Sequence, residues 1–281
     1  MRRSRGGAAF YVETLLLVLF LLASLTVLVQ ILGAAKRTSR EARELSTAVN
    51  IAQNAAELFA ARGCNVAVTC IKNSEKAEEF VRCARDKGCC AEYFTCDAGN
   101  HDNAARVTSL VMGKFGSIDV LVNNCGISEY ALIQDITPDM WKRMIKTNLD
   151  SVYNFVNCVA PSMISRKSGA IINVASMWGL TGGAMESHYS AAKAGVVGFT
   201  KALAKELCYS GITVNCVAPG PTDTDMMKES FSEEELKLLE KEIPFGRLAA
   251  PSEIAEGIYY LAFARTVTGT VLNMSMGMGL D

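Results

Sequence analysis

The sequence has few of the residues that metal sites and charge-driven binding require. It contains only two histidines, and its ten cysteines lie between Cys64 and Cys216 without any C-x-x-C pair, so the ligand spacings of zinc sites are absent. Its 28 basic and 29 acidic residues leave a net charge of −1, which argues against a nucleic-acid partner. The cysteines are therefore interpreted as reduced thiols of a cytosolic fold, and no metal is expected.

Charge is absent from residues 14–35, a run dominated by Leu and Val. As a helix this segment would span about 33 Å, which is enough to cross a bilayer. It predicts a transmembrane anchor, with a cleaved secretory signal as the alternative, because Arg2, Arg3 and Arg5 fit either. Both flanks are basic, so the charges do not decide the orientation. We expect a membrane-anchored protein whose second part faces the cytoplasm.

Proline and glycine are also absent from residues 38–62, which place apolar side chains at helical spacing. One long hydrophobic N-terminal helix is therefore predicted from about residue 10 to 62, and residues 1–62 form the first predicted domain. The start of the chain loosely resembles the N-terminal helix of prepilin-like proteins, but a plain membrane anchor is the preferred interpretation.

From residue 63 onward, short β-branched runs alternate with helical patterns. The runs cover residues 64–71, 91–96, 118–123, 170–175, 212–217 and 268–274. Such alternation predicts an α/β fold, a doubly wound parallel sheet covered on both faces. Residues 63–281 form the second predicted domain.

Tyr189 and Lys193 lie four residues apart in a predicted helix, which places a phenol and an ammonium on one face. A tyrosine with a pKa near 10 exchanges protons poorly at neutral pH. An ammonium at about 4 Å would supply about 4 kcal/mol toward lowering that pKa, whereas burial alone would raise it. The pair predicts an acid/base tyrosine, with an amphipathic helix carrying an exposed lysine as the alternative.

Three predicted strands end in residues suited to ligand binding. Ser176 follows one strand, Asn123 and Gly126 follow another, and Pro219 to Thr224 follow a third. Because the carboxyl ends of parallel strands meet at one crevice, these residues are expected to converge there.

These motifs together resemble the short-chain dehydrogenase/reductase family over about residues 56–281. The resemblance implies that Tyr189 is the general acid or base and that Lys193 lowers its pKa and holds the nicotinamide ribose. It also implies that Ser176 hydrogen-bonds the substrate carbonyl. Asn148 would support a water chain to the lysine, with a bond to its own helix backbone as the alternative.

The resemblance implies a nicotinamide cofactor as well. Its expected contacts are Lys72, Asp97, Asn123, Gly126, Tyr189, Lys193, Pro219, Gly220 and Thr224. Thr69, Cys70 and Lys72 stand where an aspartate would accept from a ribose 2′-hydroxyl, so NADPH is favoured over NADH. Cys125 replaces the family's usual alanine and is expected to be tolerated.

The family's opening strand and glycine-rich phosphate loop have no counterpart, since residues 34–62 contain no glycine. The sheet is therefore expected to lack its first strand, between the strands at 64–71 and 118–123. Residues 26–33 are the alternative source of that strand. Without glycines to approach the pyrophosphate closely, weak or absent NADPH binding is predicted.

Two subfamilies share further motifs with this chain. Ser176-Met177-Trp178-Gly179 is similar to elongation factor P 5-aminopentanone reductases, and later segments resemble 3-oxoacyl-(acyl-carrier-protein) reductases. NADPH-dependent reduction of a small or carrier-bound 3-oxoacyl-type ketone to an alcohol is predicted. Trp178 would line the substrate pocket or pack beneath the loop. The last helix and strand resemble oligomer contacts, so a homo-oligomer is expected. The alternative interpretation is an inactive, membrane-anchored reductase-like protein or a fusion product that binds no cofactor.

Overall fold

The computed structural model describes residues 50–71, 74–224 and 232–280. Helix α1 covers residues 50–61, and strand β1 covers Val66–Cys70. The later helices are α2 (Ser74–Asp86), α3 (His101–Phe115), α4 (Pro138–Ile145), α5 (Ser151–Arg166), α6 (Trp178–Thr181), α7 (Ser187–Leu207), α8 (Glu233–Glu242) and α9 (Pro251–Phe263). The later strands are β2 (Ala91–Thr95), β3 (Val120–Asn123), β4 (Gly169–Val174), β5 (Ile212–Pro219) and β6 (Val271–Met274). A π-helical turn at Lys146–Asp150 joins α4 to α5.

All six of these strands pair in parallel, which confirms the predicted α/β architecture. β1 pairs with β2, and a second sheet has the order β3-β4-β5-β6. Among the described residues, no strand lies between β1 and β3 to join the two sheets. This is the place from which the family's first strand was expected to be missing. Residues 1–49 lie outside the described part of the chain. The missing strand, the missing glycine-rich loop and the hydrophobic N-terminal helix therefore remain predictions.

One apolar cluster packs α1 and α9 against the sheets. Ala55 and Phe59 of α1 are buried in the same cluster as Ile254 and Ile258 of α9. The Phe59 ring lies 5.2 Å from the ring of Tyr259, centroid to centroid. Each fully buried side chain of this size contributes roughly 1.5–3 kcal/mol. Helix α1 therefore belongs to the core, although it precedes the domain boundary predicted at residue 62.

A second cluster packs α5 and α7 against the other face of the larger sheet. Val156 and Val196 contact buried residues of β4 and β5, among them Ile171 and Val214. Gly211 turns the chain from α7 into β5 with φ 70°, and a Cβ there would lie 2.8 Å from the Lys167 carbonyl oxygen. The packing of α7 on β4 fixes where the residues at its N-terminal end stand.

The described residues contain no helix that is both long and apolar enough to cross a bilayer. The predicted span, residues 14–35, and the prepilin-like segment lie outside the described residues. The prediction of a membrane-anchored protein is therefore wrong for the part of the chain that the structure describes. All ten cysteines are free thiols.

Candidate active site

The carboxyl ends of β3, β4 and β5 open into one pocket beside α7, with a volume of about 210 Å³. Eight of the residues predicted for the site line it: Gly126, Ser176, Trp178, Tyr189, Lys193, Pro219, Gly220 and Thr224. A recess of about 370 Å³ beside α4 is lined by Lys142 and Arg143 and contains none of the predicted site residues. The chemistry is therefore concentrated at the strand ends.

Ser176 and Tyr189 form the centre of the pocket. Ser176 follows β4, is 7% exposed, and accepts a hydrogen bond from the backbone N–H of Trp178 at 3.2 Å. Tyr189 lies in the first turn of α7, and its side chain hydrogen-bonds Ser176. Because the two hydroxyl groups are adjacent and line the same pocket, one carbonyl oxygen can contact both.

Lys193 lies one helical turn after Tyr189 and is buried. Its Nζ donates to the Val174 carbonyl oxygen at 2.9 Å and lies 5.7 Å from the centroid of the Tyr189 ring. Burial lowers the pKa of Lys193 to about 8. An ammonium held on a backbone carbonyl remains predominantly charged at neutral pH.

We expected Lys193 to lower the pKa of Tyr189, and the structure differs on this point. Burial raises the pKa of Tyr189; the hydrogen bond with Ser176 opposes this, and the charge of Glu186 adds to it. The reason is geometric, because the Lys193 ammonium contacts the Val174 carbonyl and lies over the phenol ring at a distance. The phenol is consequently protonated at neutral pH.

Asn148 lies in the π-helical turn and is fully buried, outside the pocket lining. Its Nδ2 donates to the carbonyl oxygens of Ile127 at 3.0 Å and Met144 at 3.1 Å, and its Oδ1 accepts from the Ile127 N–H at 3.1 Å. A Cβ at Gly126 would lie 2.8 Å from this Oδ1. Asn148 therefore bonds its own helix, as the alternative prediction had it, and also fixes the loop after β3.

Two other predicted cofactor residues are not part of the pocket lining. Asp97, after β2, forms an ion pair with Lys146 at 3.0 Å. Asn123, at the end of β3, donates through Nδ2 to the Asn173 Oδ1 at 2.9 Å inside the sheet. Lys72 lies outside the described residues.

The sequence reasoning missed an acidic residue in the pocket. Glu186 precedes α7, is 4% exposed, and its Oε1 accepts from the Ser128 Oγ at 2.6 Å. Its side chain is also hydrogen-bonded by Trp178, and burial raises its pKa. Burial likewise raises the pKa of the nearby Tyr130 to about 12. The only signal in the sequence was the position of Glu186, three residues before Tyr189 at the start of a predicted helix.

Comparisons with known proteins place this chain among reductases. A family model described as enoyl-(acyl carrier protein) reductase matches residues 47–279. The 3-oxoacyl-(acyl-carrier-protein) reductase FabG of Chlamydia muridarum is 38% identical over 229 residues, which are 79% of this chain and 90% of that protein. Nodulation protein G of Azospirillum brasilense is 37% identical over 224 residues, 79% of this chain and 91% of that protein.

A solved structure is similar as well. A variant of actinorhodin polyketide ketoreductase, solved with NADPH, superimposes with a TM-score of 0.78 at 33% identity. The similarity covers 85% of this chain and 95% of that one. Sequence and fold comparisons thus point to the same group of proteins.

Proposed function

This chain belongs to the short-chain dehydrogenase/reductase family, and from that premise we propose that it reduces a 3-oxoacyl-type ketone to a secondary alcohol with Tyr189 as the proton donor. The chain is an NAD(P)-dependent oxidoreductase, and its cofactor is NADPH. The observation that carries the proposal is the pair of hydrogen-bonded hydroxyls, Ser176 and Tyr189, beside the buried ammonium of Lys193. The 3-oxoacyl class is supported by the relatives, which are reductases of such substrates by name. The assembly into a homo-oligomer remains a prediction.

The pocket lining offers groups that suit the nicotinamide end of the cofactor, namely the buried ammonium of Lys193 and the hydroxyl of Thr224. Lys193 and Thr224 would hold this end of the cofactor. When bound, the reduced nicotinamide supplies a hydride to the carbonyl carbon and is left as the oxidised dinucleotide. Weak or absent binding of the whole cofactor remains a prediction, because residues 34–62 contain no glycine for a phosphate loop.

Each residue of the centre has a role that follows from its surroundings. Tyr189 is protonated at neutral pH because burial raises its pKa, so it can give its proton to the carbonyl oxygen as that oxygen becomes an alkoxide. Ser176 donates a hydrogen bond to the same oxygen; such a bond to a charged group contributes roughly 1.5–3 kcal/mol. The positive charge of Lys193 stabilises the phenolate that Tyr189 becomes, and a solvent proton then restores the phenol.

The test is NADPH oxidation by the full chain with ethyl acetoacetate, followed by absorbance. We expect Tyr189→Phe to lower kcat by about 100-fold or more, because positioned proton transfer contributes about 10²–10⁴-fold. Tyr209→Phe is the matched control, since Tyr209 is 94% exposed and far from the chemistry in sequence. Equal rates for wild type and Tyr189→Phe would remove Tyr189 from the mechanism. No oxidation by the wild type with any ketone would favour the inactive protein.

A further inference from the structure

Two of the ten cysteines, Cys64 and Cys89, follow helices that end in the same way. Each comes directly after a glycine with positive φ, Gly63 at 81° and Gly88 at 85°. The backbone N–H of each cysteine donates to the carbonyl oxygen five residues before it, at 3.1 Å for Cys64 and 3.0 Å for Cys89. This bond and the glycine form the Schellman motif that closes a helix. The ends of α1 and α2 therefore place the two cysteines at equivalent positions, just before β1 and β2.

The pairing of β1 with β2 sets these two cysteines opposite each other. Val66 pairs with Ala91 in the parallel register, and the Val66 N–H donates to the Cys90 carbonyl oxygen at 2.9 Å. Cys64 and Cys89 each precede this first pair by two residues, so the continued register places them side by side on one face. Neighbouring strands lie about 4.8 Å apart, and a disulfide requires a Cα separation of about 4.4–6.8 Å.

The side-chain contacts agree with this placement. Cys64 and Cys89 both pack against the apolar cluster that contains Phe59. The Cys89 Sγ donates to the Ala60 carbonyl oxygen at 2.8 Å, which brings it to the last turn of α1, four residues before Cys64. Burial raises the pKa of Cys64, and the charge of a Cys89 thiolate raises it further, as expected for neighbouring thiols. The two free thiols are therefore neighbours across the strand pair.

Other cysteines of the same strands are not paired in this way. Cys70 pairs with Thr95, so Cys96 is one residue out of register with it. Cys90 adjoins Cys89 in the chain, and successive residues of a strand point to opposite faces. A structural zinc ion needs four ligands, whereas the described residues offer no group of three or more His, Cys, Asp or Glu side chains that could hold a metal. The arrangement is therefore that of a dithiol.

We propose that Cys64 and Cys89 form a modification site, at which hydrogen peroxide produces a reversible disulfide that joins β1 to β2. The thiolate of one cysteine attacks a peroxide oxygen, the O–O bond breaks, and a sulfenic acid and one water form. The second thiol attacks that sulfur, the S–S bond forms, and the S–O bond breaks to release a second water. The two cysteines lose two electrons and two protons, and the peroxide is reduced to two waters. The Ala60 carbonyl oxygen still accepts from the Gly63 N–H at 3.0 Å, so loss of the thiol hydrogen leaves it paired.

The disulfide would stabilise a part of the fold that is weakly connected. β1 and β2 form a two-stranded sheet, and such a pair is only marginally stable by itself. A bond between Cys64 and Cys89 closes a loop of about 25 residues and restricts the unfolded chain. Oxidation should therefore raise the melting temperature by about 5 °C or more. Neither cysteine lines the pocket, so this site is separate from the proposed ketone reduction.

Peptide mapping tests whether the bond forms. The full chain is reduced, freed of reductant, treated with hydrogen peroxide, alkylated and digested with trypsin. Cys64 then lies in the peptide of residues 63–72 and Cys89 in that of residues 88–106. We expect the two peptides to be joined, with fragment ions that assign the bond to these cysteines, and to separate after dithiothreitol. Cys64→Ser and Cys89→Ser should each abolish the joined product, whereas Cys83→Ser, an exposed position of α2, should retain it.

Melting curves test what the bond does. The peroxide-treated wild type should melt about 5 °C or more above the reduced wild type, and the same treatment should not raise the melting temperature of Cys64→Ser. Both readouts compare the wild type with itself, so they stand even if a serine variant does not fold. Peptides that stay separate after peroxide, a bond through Cys70 or Cys96 instead, or equal melting of the oxidised and reduced wild type would each overturn the proposal.

Discussion

Gly126→Ala adds one methyl group at a close contact between the pocket lining and the π-helical turn. The new Cβ would lie 2.8 Å from the Asn148 Oδ1 and 3.3 Å from the Lys193 Nζ. The first distance is shorter than real Cβ atoms show, so the Asn148 amide or the loop after β3 must move. Asn148 is fully buried and is held by two carbonyl groups, which leaves it little freedom to move.

The size of the effect follows from the contacts that are lost. Displacement of the Asn148 amide breaks its bond with the Ile127 N–H, a loss of about 1–3 kcal/mol because that group is buried. The strain of the extra methyl group costs a further 1–3 kcal/mol or so. We expect the unfolding free energy to fall by about 2–6 kcal/mol, with a melting temperature lower by roughly 2–4 °C for each kcal/mol in a domain of this size. Ketone reduction should fall at least 10-fold, because Lys193 shifts as well.

Urea denaturation followed by circular dichroism measures the stability, and NADPH oxidation measures the activity. Gly198→Ala is the matched control, because Gly198 lies in α7 and a Cβ added there would meet no atom within 4 Å. The control should be more stable by about 0.5–1 kcal/mol, because alanine favours a helix over glycine. If Gly126→Ala unfolds within 0.5 kcal/mol or so of the wild type, the close contact between Gly126 and Asn148 does not exist in solution.

Three further predictions concern a lysine, a buried amide and an ion pair. The kcat/KM for ketone reduction should be constant below pH 8 and fall as the pH rises through about 8, because the Lys193 ammonium loses its proton there. A pH profile of kcat/KM without this fall would contradict the role of the Lys193 charge. Asn173→Leu should lower the unfolding free energy by about 2–6 kcal/mol, as measured by urea denaturation, because Asn123 and the Thr200 hydroxyl lose buried hydrogen-bond partners. A loss below about 1 kcal/mol would contradict the role of these two hydrogen bonds. Hydrogen bonds from Arg247 lower the pKa of Glu253 from its ordinary value of 4.5 to about 2. The ionised carboxylate therefore stabilises the fold fully at pH values above 4.5, and this stabilisation is lost as the pH falls toward 2. Because the pair is partly exposed, Glu253→Gln should cost about 1 kcal/mol or less at pH 7 and nothing near pH 2, as measured by denaturation at both pH values.

Local patterns in the sequence were enough to predict the larger part of the fold and the centre of the site. β-branched runs mark the strands, and the strand ends place Ser176 and Gly126 at one crevice. The spacing of four residues brings Tyr189 and Lys193 to one side of α7. These features depend on periodicity and on the rules of parallel sheets, so a single chain reveals them.

What the sequence could not predict depends on contacts between distant segments. The bonds of Asn148 to Ile127 cross twenty-one positions of the chain, and no local pattern indicates them. The pKa of Tyr189 is raised chiefly because the folded pocket buries the phenol, and the sequence alone does not show how deeply that side chain is buried. Glu186 resembles any polar residue before a helix until the fold buries it beside Ser128.

The transfer of label from the cofactor tests the central claim most directly. NADPH carrying deuterium at both hydrogens of nicotinamide C4 is incubated with the full chain and ethyl acetoacetate, and the alcohol is analysed by mass spectrometry. Our account predicts one deuterium per molecule of alcohol, bound to the carbinol carbon, and a yield that falls about 100-fold or more in Tyr189→Phe. Alcohol without deuterium, or no alcohol from the wild type, would contradict it.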